Sequence, residues 1–278
     1  VKHIVSMAWL AEHFSRQDVV VVDCRFTLGK GGEGRSFYEQ DHIPGAFYLD
    51  LEQDLSSPVM EHGGRHPLPD LGALSIKLGE IGVTAGVKVV AYDDQGGAMA
   101  SRLWWLLRFL GHEQVFVMDE GYKAWKAAGY PVTAEKPLPR PATFSPKVQR
   151  HMLIALQELK EKLGSPGVVL LDSRESKRYL GLEEPIDKVA GHIPGARNFF
   201  WKGSLDESGR WLPAEAQQER FAELYPDQEL IVYCGSGVTA CPNVLALSEA
   251  GFPKVRLYAG SWSDWISYEE NPIATGEE

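Results

Sequence analysis

A cysteine followed by glycines and hydroxyl side chains stands at Cys234-Gly235-Ser236-Gly237-Val238-Thr239, directly after the apolar run Leu230–Tyr233. A thiol in that setting is a candidate nucleophile. Gly235 and Gly237 permit positive φ, so the loop can curl and turn its N–H groups inward. Ser236 and Thr239 can cap a helix that begins behind them, and Pro242 suits its first turn, where an amide hydrogen has no helical partner. A sulfur held among N–H donors at a helix N-terminus is favoured as an anion, either thiolate or persulfide. The competing reading is a buried structural cysteine, since unpaired Cys is often buried.

The elements that must hold this loop occur twice. Val19–Val22, Val87–Tyr92 and Val115–Met118 read as strands in the N-terminal half, and Val168–Leu171, Leu230–Tyr233 and Val255–Tyr258 in the C-terminal half. Arg102–Leu110 and Ala240–Ala250 read as helices closed by Gly111 and Gly251. Ala240, Val244 and Leu247 give the second of these a buried stripe. The sequence HIPGA stands at both His42–Ala46 and His192–Ala196, VVVVDCR is matched by VVLLDSR, and Trp125 is matched by Trp265. The chain is a tandem duplication. Continuous apolar runs of this length suit parallel strands covered on both faces, so each copy is an α/β domain with a largely parallel sheet flanked by helices. The expected domains are 1–133 and 148–278, joined by an extended linker over 134–147 that contains Pro137, Pro139, Pro141 and Pro146. Tyr92 aligns with Tyr233, so Asp93 occupies the position of Cys234. A carboxylate cannot accept and pass on a sulfur atom, and the first copy therefore lacks the nucleophile.

Composition narrows the partners. The 278 residues carry 28 Lys and Arg against 38 Asp and Glu, a net charge of −10. Broad adhesion to nucleic acid or to an anionic membrane is excluded as a default, and the apolar runs are too short to span a bilayer. Three cysteines cannot build a disulfide framework, and Val1–Ser6 lack the pattern of a signal peptide. The expectation is a cytoplasmic protein. No paired CxxC or HExxH spacing occurs, so neither a metal nor a cofactor is expected. A cysteine phosphatase loop, C-x5-R, would need an arginine where Ala240 stands.

Taken together, HIPGA in both halves, CGSGVTA at Cys234–Ala240 and YAGSWSDW at Tyr258–Trp265 resemble the two-domain rhodanese-like sulfurtransferases. That family holds thiosulfate and 3-mercaptopyruvate sulfurtransferases, and the resemblance covers essentially the whole chain. Asp264 stands where the family usually has Glu. The resemblance implies two rhodanese-like domains, of which the second is catalytic. Cys234 would take a sulfane sulfur as a persulfide and hand it to an acceptor, with the loop from Gly235 through Ser236, Gly237 and Val238 to Thr239 cradling it through backbone amides. The donor would be a small anion, 3-mercaptopyruvate or thiosulfate. The acceptor would be cyanide or a thiol, a thioredoxin-like protein among the candidates, and the enzyme a monomer. The alternative is a non-catalytic sulfur-relay module loaded by a protein donor.

The resemblance also assigns side chains. Arg178 aligns with an arginine that binds the donor's anionic group, a role suited to its planar fork. Mercaptopyruvate-type members carry a second arginine further along, where this chain has Asp187 and the weak substitute Lys188. His66 aligns with a histidine proposed to form a proton relay with residues matching Ser236 and Glu52. Apart from the resemblance, Arg65 in the same glycine-rich loop is expected to reach across a domain interface towards the donor. His42 and His192 occur in both copies, one of which has no nucleophile, and are read as architectural. Arg174, following Asp172, is read as tying a strand end to a neighbouring loop. Gly235 and Ser236 in place of basic side chains favour mercaptopyruvate slightly over thiosulfate.

Overall fold

Short β-branched runs with apolar residues on both faces pair as buried parallel strands rather than as half-solvated hairpins. The computed structural model describes residues 2–278, so Val1, the first residue of the segment tested for a signal peptide, lies outside the described residues. The chain divides into two units. One holds the chain up to Ser57 with Leu68–Gln149 and Glu207–Trp211, and the other holds Pro58–Pro67, Arg150–Asp206 and Leu212–Glu278. Segments 58–67 and 207–211 thus fall outside the units that simple boundaries at 133 and 148 would give them. The proline-rich stretch 134–147 belongs to the first unit, where Ala142 N–H donates to Gly79 O and Lys147 N–H to Leu110 O.

In the first unit the order is β1 (Ile4–Val5), α1 (Met7–His13), β2 (Val19–Asp23), α2 (Glu33–Gln40), β3 (Phe47–Tyr48), α3 (Leu71–Glu80), β4 (Lys88–Tyr92), α4 (Ala98–Phe109), β5 (Val115–Met118) and α5 (Tyr122–Ala127). Its sheet is parallel throughout, ordered β1-β5-β4-β2-β3. The second unit runs α6 (Leu156–Lys162), β6 (Val168–Asp172), α7 (Ser176–Tyr179), β7 (Arg197–Asn198), α8 (Ala214–Arg220), β8 (Glu229–Tyr233), α9 (Ala240–Glu249), β9 (Val255–Leu257) and α10 (Ser261–Trp265). Its sheet is also parallel, ordered β7-β6-β8-β9. All six expected strands are present. The edge strands β1, β3 and β7 have two residues each, too few to show a period. α4 begins at Ala98 rather than Arg102 because Gly96 and Gly97, both at positive φ, turn the chain straight into it. Every residue of α9 from Ala240 to Leu247 is buried, so a one-sided stripe understates its burial.

At the C-terminal end of each sheet the same buried knot recurs. Arg174 grips Asp172 through Nε at 3.0 Å and Nη2 at 2.6 Å, and the same Nη2 donates to Gly191 O at 2.6 Å. Arg25 does likewise with Asp23, its Nη2 reaching Asp41 O. This is the tie from strand end to loop expected of Arg174. In register beside each aspartate lies a tyrosine, Tyr92 opposite Asp23 and Tyr233 opposite Asp172. Burial, and then the adjacent aspartate, push both phenols well above their ordinary range, so they stay protonated and donate to the carboxylates. Each hydroxyl also accepts from the first amide after a histidine, Ile43 N–H at 3.2 Å and Ile193 N–H at 3.1 Å.

Those contacts lock the HIPGA turns, which close through Ala46 N–H to Ile43 O and Ala196 N–H to Ile193 O with glycine at positive φ in third place. His42 stacks on Tyr38 at 3.9 Å and His192 on Tyr179 at 3.8 Å, each with Nδ1 against that tyrosine's carbonyl. Both histidines are architectural. No helix among the described residues is long and apolar enough to cross a membrane.

His3, packed edge-on against Trp104 at 5.2 Å, is held by burial at a pKa of about 4, below the ordinary 6.5. The unfolded chain therefore binds this proton first as the pH falls. Stability present above pH 6.5 is lost as the pH drops towards 4, by about 3 kcal/mol at most. His3→Gln should flatten that part of the curve. Urea midpoints at pH 7, 5.5 and 4 check it, and parallel curves for the two proteins would refute it.

Candidate active site

Cys234 is the first residue after β8, at the C-terminal edge of a parallel sheet, and is 1 % exposed. Its Sγ accepts the Gly237 N–H at 3.1 Å. Gly237 sits at φ +81°, and a Cβ there would overlap the Ala259 carbonyl, so both the conformation and the close approach require glycine. Thr239 precedes α9 in a helical conformation and makes no side-chain cap, while the Ser236 hydroxyl is engaged elsewhere. The expected caps are therefore not formed. What tethers the loop is α10: Trp262 N–H donates to Cys234 O and Ser263 N–H to Gly235 O, both at 2.9 Å.

Ser261 is a site residue that sequence reasoning missed. Among the described residues it is the one non-glycine at positive φ, at 59°. Its Oγ accepts the Cys234 N–H at 3.1 Å and lies 4.0 Å from Sγ. The preceding Gly260 was its only sequence signal, and glycine before serine is too common to flag a strained residue.

The segment 58–67 brings two more side chains to this loop within the second unit. His66 Nδ1 lies 2.8 Å from Ser236 Oγ, and both residues are buried. Arg65 N–H donates to Ser263 Oγ at 3.1 Å and Gly63 N–H to Asp264 Oδ1 at 2.7 Å. Asp264 also accepts from Tyr258 OH at 2.5 Å, so this aspartate of α10 ties the segment to the residue that follows β9. Arg65 thus belongs to the same unit as Cys234, whereas the sequence reading had it reaching across a domain interface. Glu52 belongs to the first unit.

Arg178, on α7, meets Arg65 over the loop. A Cβ built on Gly235 would lie 3.0 Å from Arg65 Nη2 and 3.3 Å from Arg178 Nη2, so both guanidinium groups stand against the residue that follows the cysteine, and a side chain there would press on them. Arg178 Nε contacts both oxygens of Glu184 at 3.1 Å, and Nη2 reaches Asp187 Oδ2 at 2.9 Å. The other oxygen of Asp187 accepts from Arg65. Burial opposes the charge on Glu184, but Arg178 and the amides of Ile186 and Asp187 hold its carboxyl below the ordinary range. Lys188 is exposed and makes no part of this cluster.

The corresponding loop of the first unit carries a carboxylate. Asp93 Oδ1 accepts from Gln95 and Gly97 N–H at 2.8 and 2.9 Å, and Oδ2 from Met99 and Ala100 N–H, both at 2.8 Å. Burial nevertheless pushes this carboxyl above its ordinary range, against the pull of the four amides. Burial, and then Asp23 and Asp93, push the thiol of Cys24 well above its ordinary range. Among the described residues no group of three or more His, Cys, Asp and Glu side chains is placed to hold a metal ion.

The family model for the rhodanese-like domain matches the chain twice, over residues 6–128 and 155–268. The chain belongs to the rhodanese-like family. It is 48 % identical over 273 residues to a Pseudomonas aeruginosa protein named a probable 3-mercaptopyruvate sulfurtransferase, an overlap of 96 % of each chain. To the thiosulfate sulfurtransferase of Rattus norvegicus it is 35 % identical over 276 residues, 95 % of this chain and 91 % of that one. The solved 3-mercaptopyruvate sulfurtransferase from Leishmania major matches it with a TM-score of 0.84 at 31 % identity, covering 98 % of this chain and 76 % of the other.

Within the second rhodanese-like unit, Ser261 separates strain from hydrogen bonding. Ser261→Ala loses the acceptor for the Cys234 amide and keeps the strained backbone, whereas Ser261→Gly loses the acceptor and releases the strain. The glycine variant should be the more stable of the two by about 1 kcal/mol. Thermal unfolding of the pair decides this, and an alanine variant as stable as the glycine variant would contradict it.

Proposed function

We propose that the chain is a sulfurtransferase that moves sulfur from a small anionic donor to cyanide or a thiol through a persulfide on Cys234. The observation that carries this reading is the amide cup. In the first unit the loop aims four N–H groups at the carboxylate of Asp93, and in the second the counterpart of Gly97, Gly237, already donates to Cys234 Sγ. The amides of Thr239 and Ala240, at the start of α9, correspond to those of Met99 and Ala100 at the start of α4. They supply the remaining donors for an outer sulfur bearing negative charge. A first unit with Asp93 in that position binds its own anion and has no nucleophile, so catalysis belongs to the second.

Arg178 and Arg65 hold the donor's anionic group beside the cysteine. With thiosulfate, the Cys234 thiolate attacks the outer sulfur, a new S–S bond forms, and sulfite leaves with the electron pair of the old one. With 3-mercaptopyruvate the thiolate attacks the thiol sulfur, the C–S bond breaks, and the pyruvate enolate leaves with its electrons. The proton on the donor sulfur must then pass to that carbon. Ser236 and His66, 2.8 Å apart, form the route for it. Thiosulfate carries no such proton, so this pair supports 3-mercaptopyruvate as the preferred donor. In the second half-reaction cyanide or a thiolate attacks the outer sulfur and Cys234 leaves as the thiolate. The same reading takes the protein as a cytoplasmic monomer and counts thioredoxin-like dithiols among its acceptors. Its three unpaired cysteines fit a reducing compartment.

Cys234→Ser should abolish transfer from both donors, and the intact mass should gain one sulfur on incubation with donor in the wild type and in Cys24→Ser but not in Cys234→Ser. Turnover retained by Cys234→Ser overturns the mechanism. His66→Ala and Ser236→Ala should lower kcat with 3-mercaptopyruvate by about 10²-fold while changing kcat with thiosulfate by less than about threefold. Equal losses with both donors would remove the pair from the proton route.

A further inference from the structure

Both arginines that face the nucleophile already share an anion. Asp187, whose side chain is 4 % exposed, gives one oxygen to Arg65 and the other to Arg178 Nη2 at 2.9 Å. Glu184 braces Arg178 along its Nε edge and shares Nη2 with Asp187, at 3.0 Å. Asp187 therefore bridges the two guanidinium groups, and Nη2 of each faces the space above Gly235. A carboxylate bridging two guanidinium groups beside a nucleophilic sulfur has the charge and the bidentate geometry of a bound donor anion.

We propose that Asp187 is a specificity-determining residue that competes with the donor's anionic group for Arg65 and Arg178. The inference rests on the sulfurtransferase reading for the identity of the donor. A donor anion engages the forks by taking hydrogen bonds that Asp187 holds, and the released product anion is replaced by the same carboxylate. Binding is weakened and release is eased in equal measure. The effect grows with the donor's charge, because a fixed negative group repels a dianion more than a monoanion. Asp187 thus disfavours thiosulfate relative to 3-mercaptopyruvate, whose single full charge is its carboxylate.

The sign of the effect is the test. If Asp187 merely held the arginines in place, its removal would weaken donor binding. Under competition, Asp187→Asn lowers KM for thiosulfate by about tenfold, lowers it less for 3-mercaptopyruvate, and so shifts the kcat/KM ratio towards thiosulfate. Asp187→Ser, which removes the charge in a smaller volume, is the second variant should the first fold poorly. The direct measurement is calorimetric titration of thiosulfate into Cys234→Ser, with and without the Asp187 substitution. Tighter binding without the carboxylate is the expected result, and unchanged or weaker binding overturns the proposal. This titration needs no turnover. Wild-type protein that forms no thiocyanate from either donor would sink the sulfurtransferase reading, while the titration would still decide the role of Asp187.

Discussion

The structure depends on an ion pair buried where two parallel strands end. Asp172 and Arg174 are two residues apart on one strand end and almost wholly inaccessible, a placement that costs several kcal/mol in lost hydration. That cost is offset because the polar atoms around them are used, save Arg174 Nη1, which makes no hydrogen bond and lies 3.5 Å from Glu184 Oε2. The aspartate takes the Arg174 amide and fork together with the Tyr233 phenol, and the arginine reaches a carbonyl of the loop that leads into HIPGA. Tyr233 is the residue before Cys234. The same pair that orients the HIPGA turn therefore fixes the last backbone position before the nucleophile. Removing one partner would leave an uncompensated buried charge, a loss of about 3–5 kcal/mol. In the first unit Asp23, Arg25 and Tyr92 repeat the arrangement under Asp93.

How much of this could be read in advance depended on whether the determining interaction was local. β8, the Cys234 loop and α9 are contiguous, and the turn chemistry of Gly237 is written in the same few residues that carry the sulfur. The Asp–Arg knot was legible for the same reason, since both members lie on one strand end. Ser261 was not, because its role comes from a backbone conformation imposed by packing against a loop far away in sequence. The destination of segment 58–67 was hidden too. His66 and Arg65 were identifiable by residue type, but an irregular segment has no period to reveal which core it packs on. Helix caps failed for a related reason. Ser236 has the chemistry of a cap, and a buried imidazole offered its hydroxyl a better partner.

Charge shows the same contrast between global and local. A net charge of −10 says little about a site in which two guanidinium groups converge on one glycine. Nor is that site a bare positive patch. Glu184 and Asp187 match Arg178 and Arg65 in number, so the forks are held at fixed angles rather than left to sweep through solvent. Strong positive potential near a thiolate would also bind every small anion in the cell. Pairing the arginines with resident carboxylates replaces general attraction with an exchange that only a well-shaped partner wins.

The first rhodanese-like unit has a further meaning in the light of Asp93. Its side chain places two electronegative atoms beyond Cβ, each in reach of the cup's amides, and holds them there permanently. The second unit reaches the equivalent state only for the interval between accepting a sulfur and giving it away. One copy of the duplicated domain is thus a standing portrait of the other in mid-reaction. The geometry of a short-lived intermediate is recorded, in carbon and oxygen, within the same polypeptide.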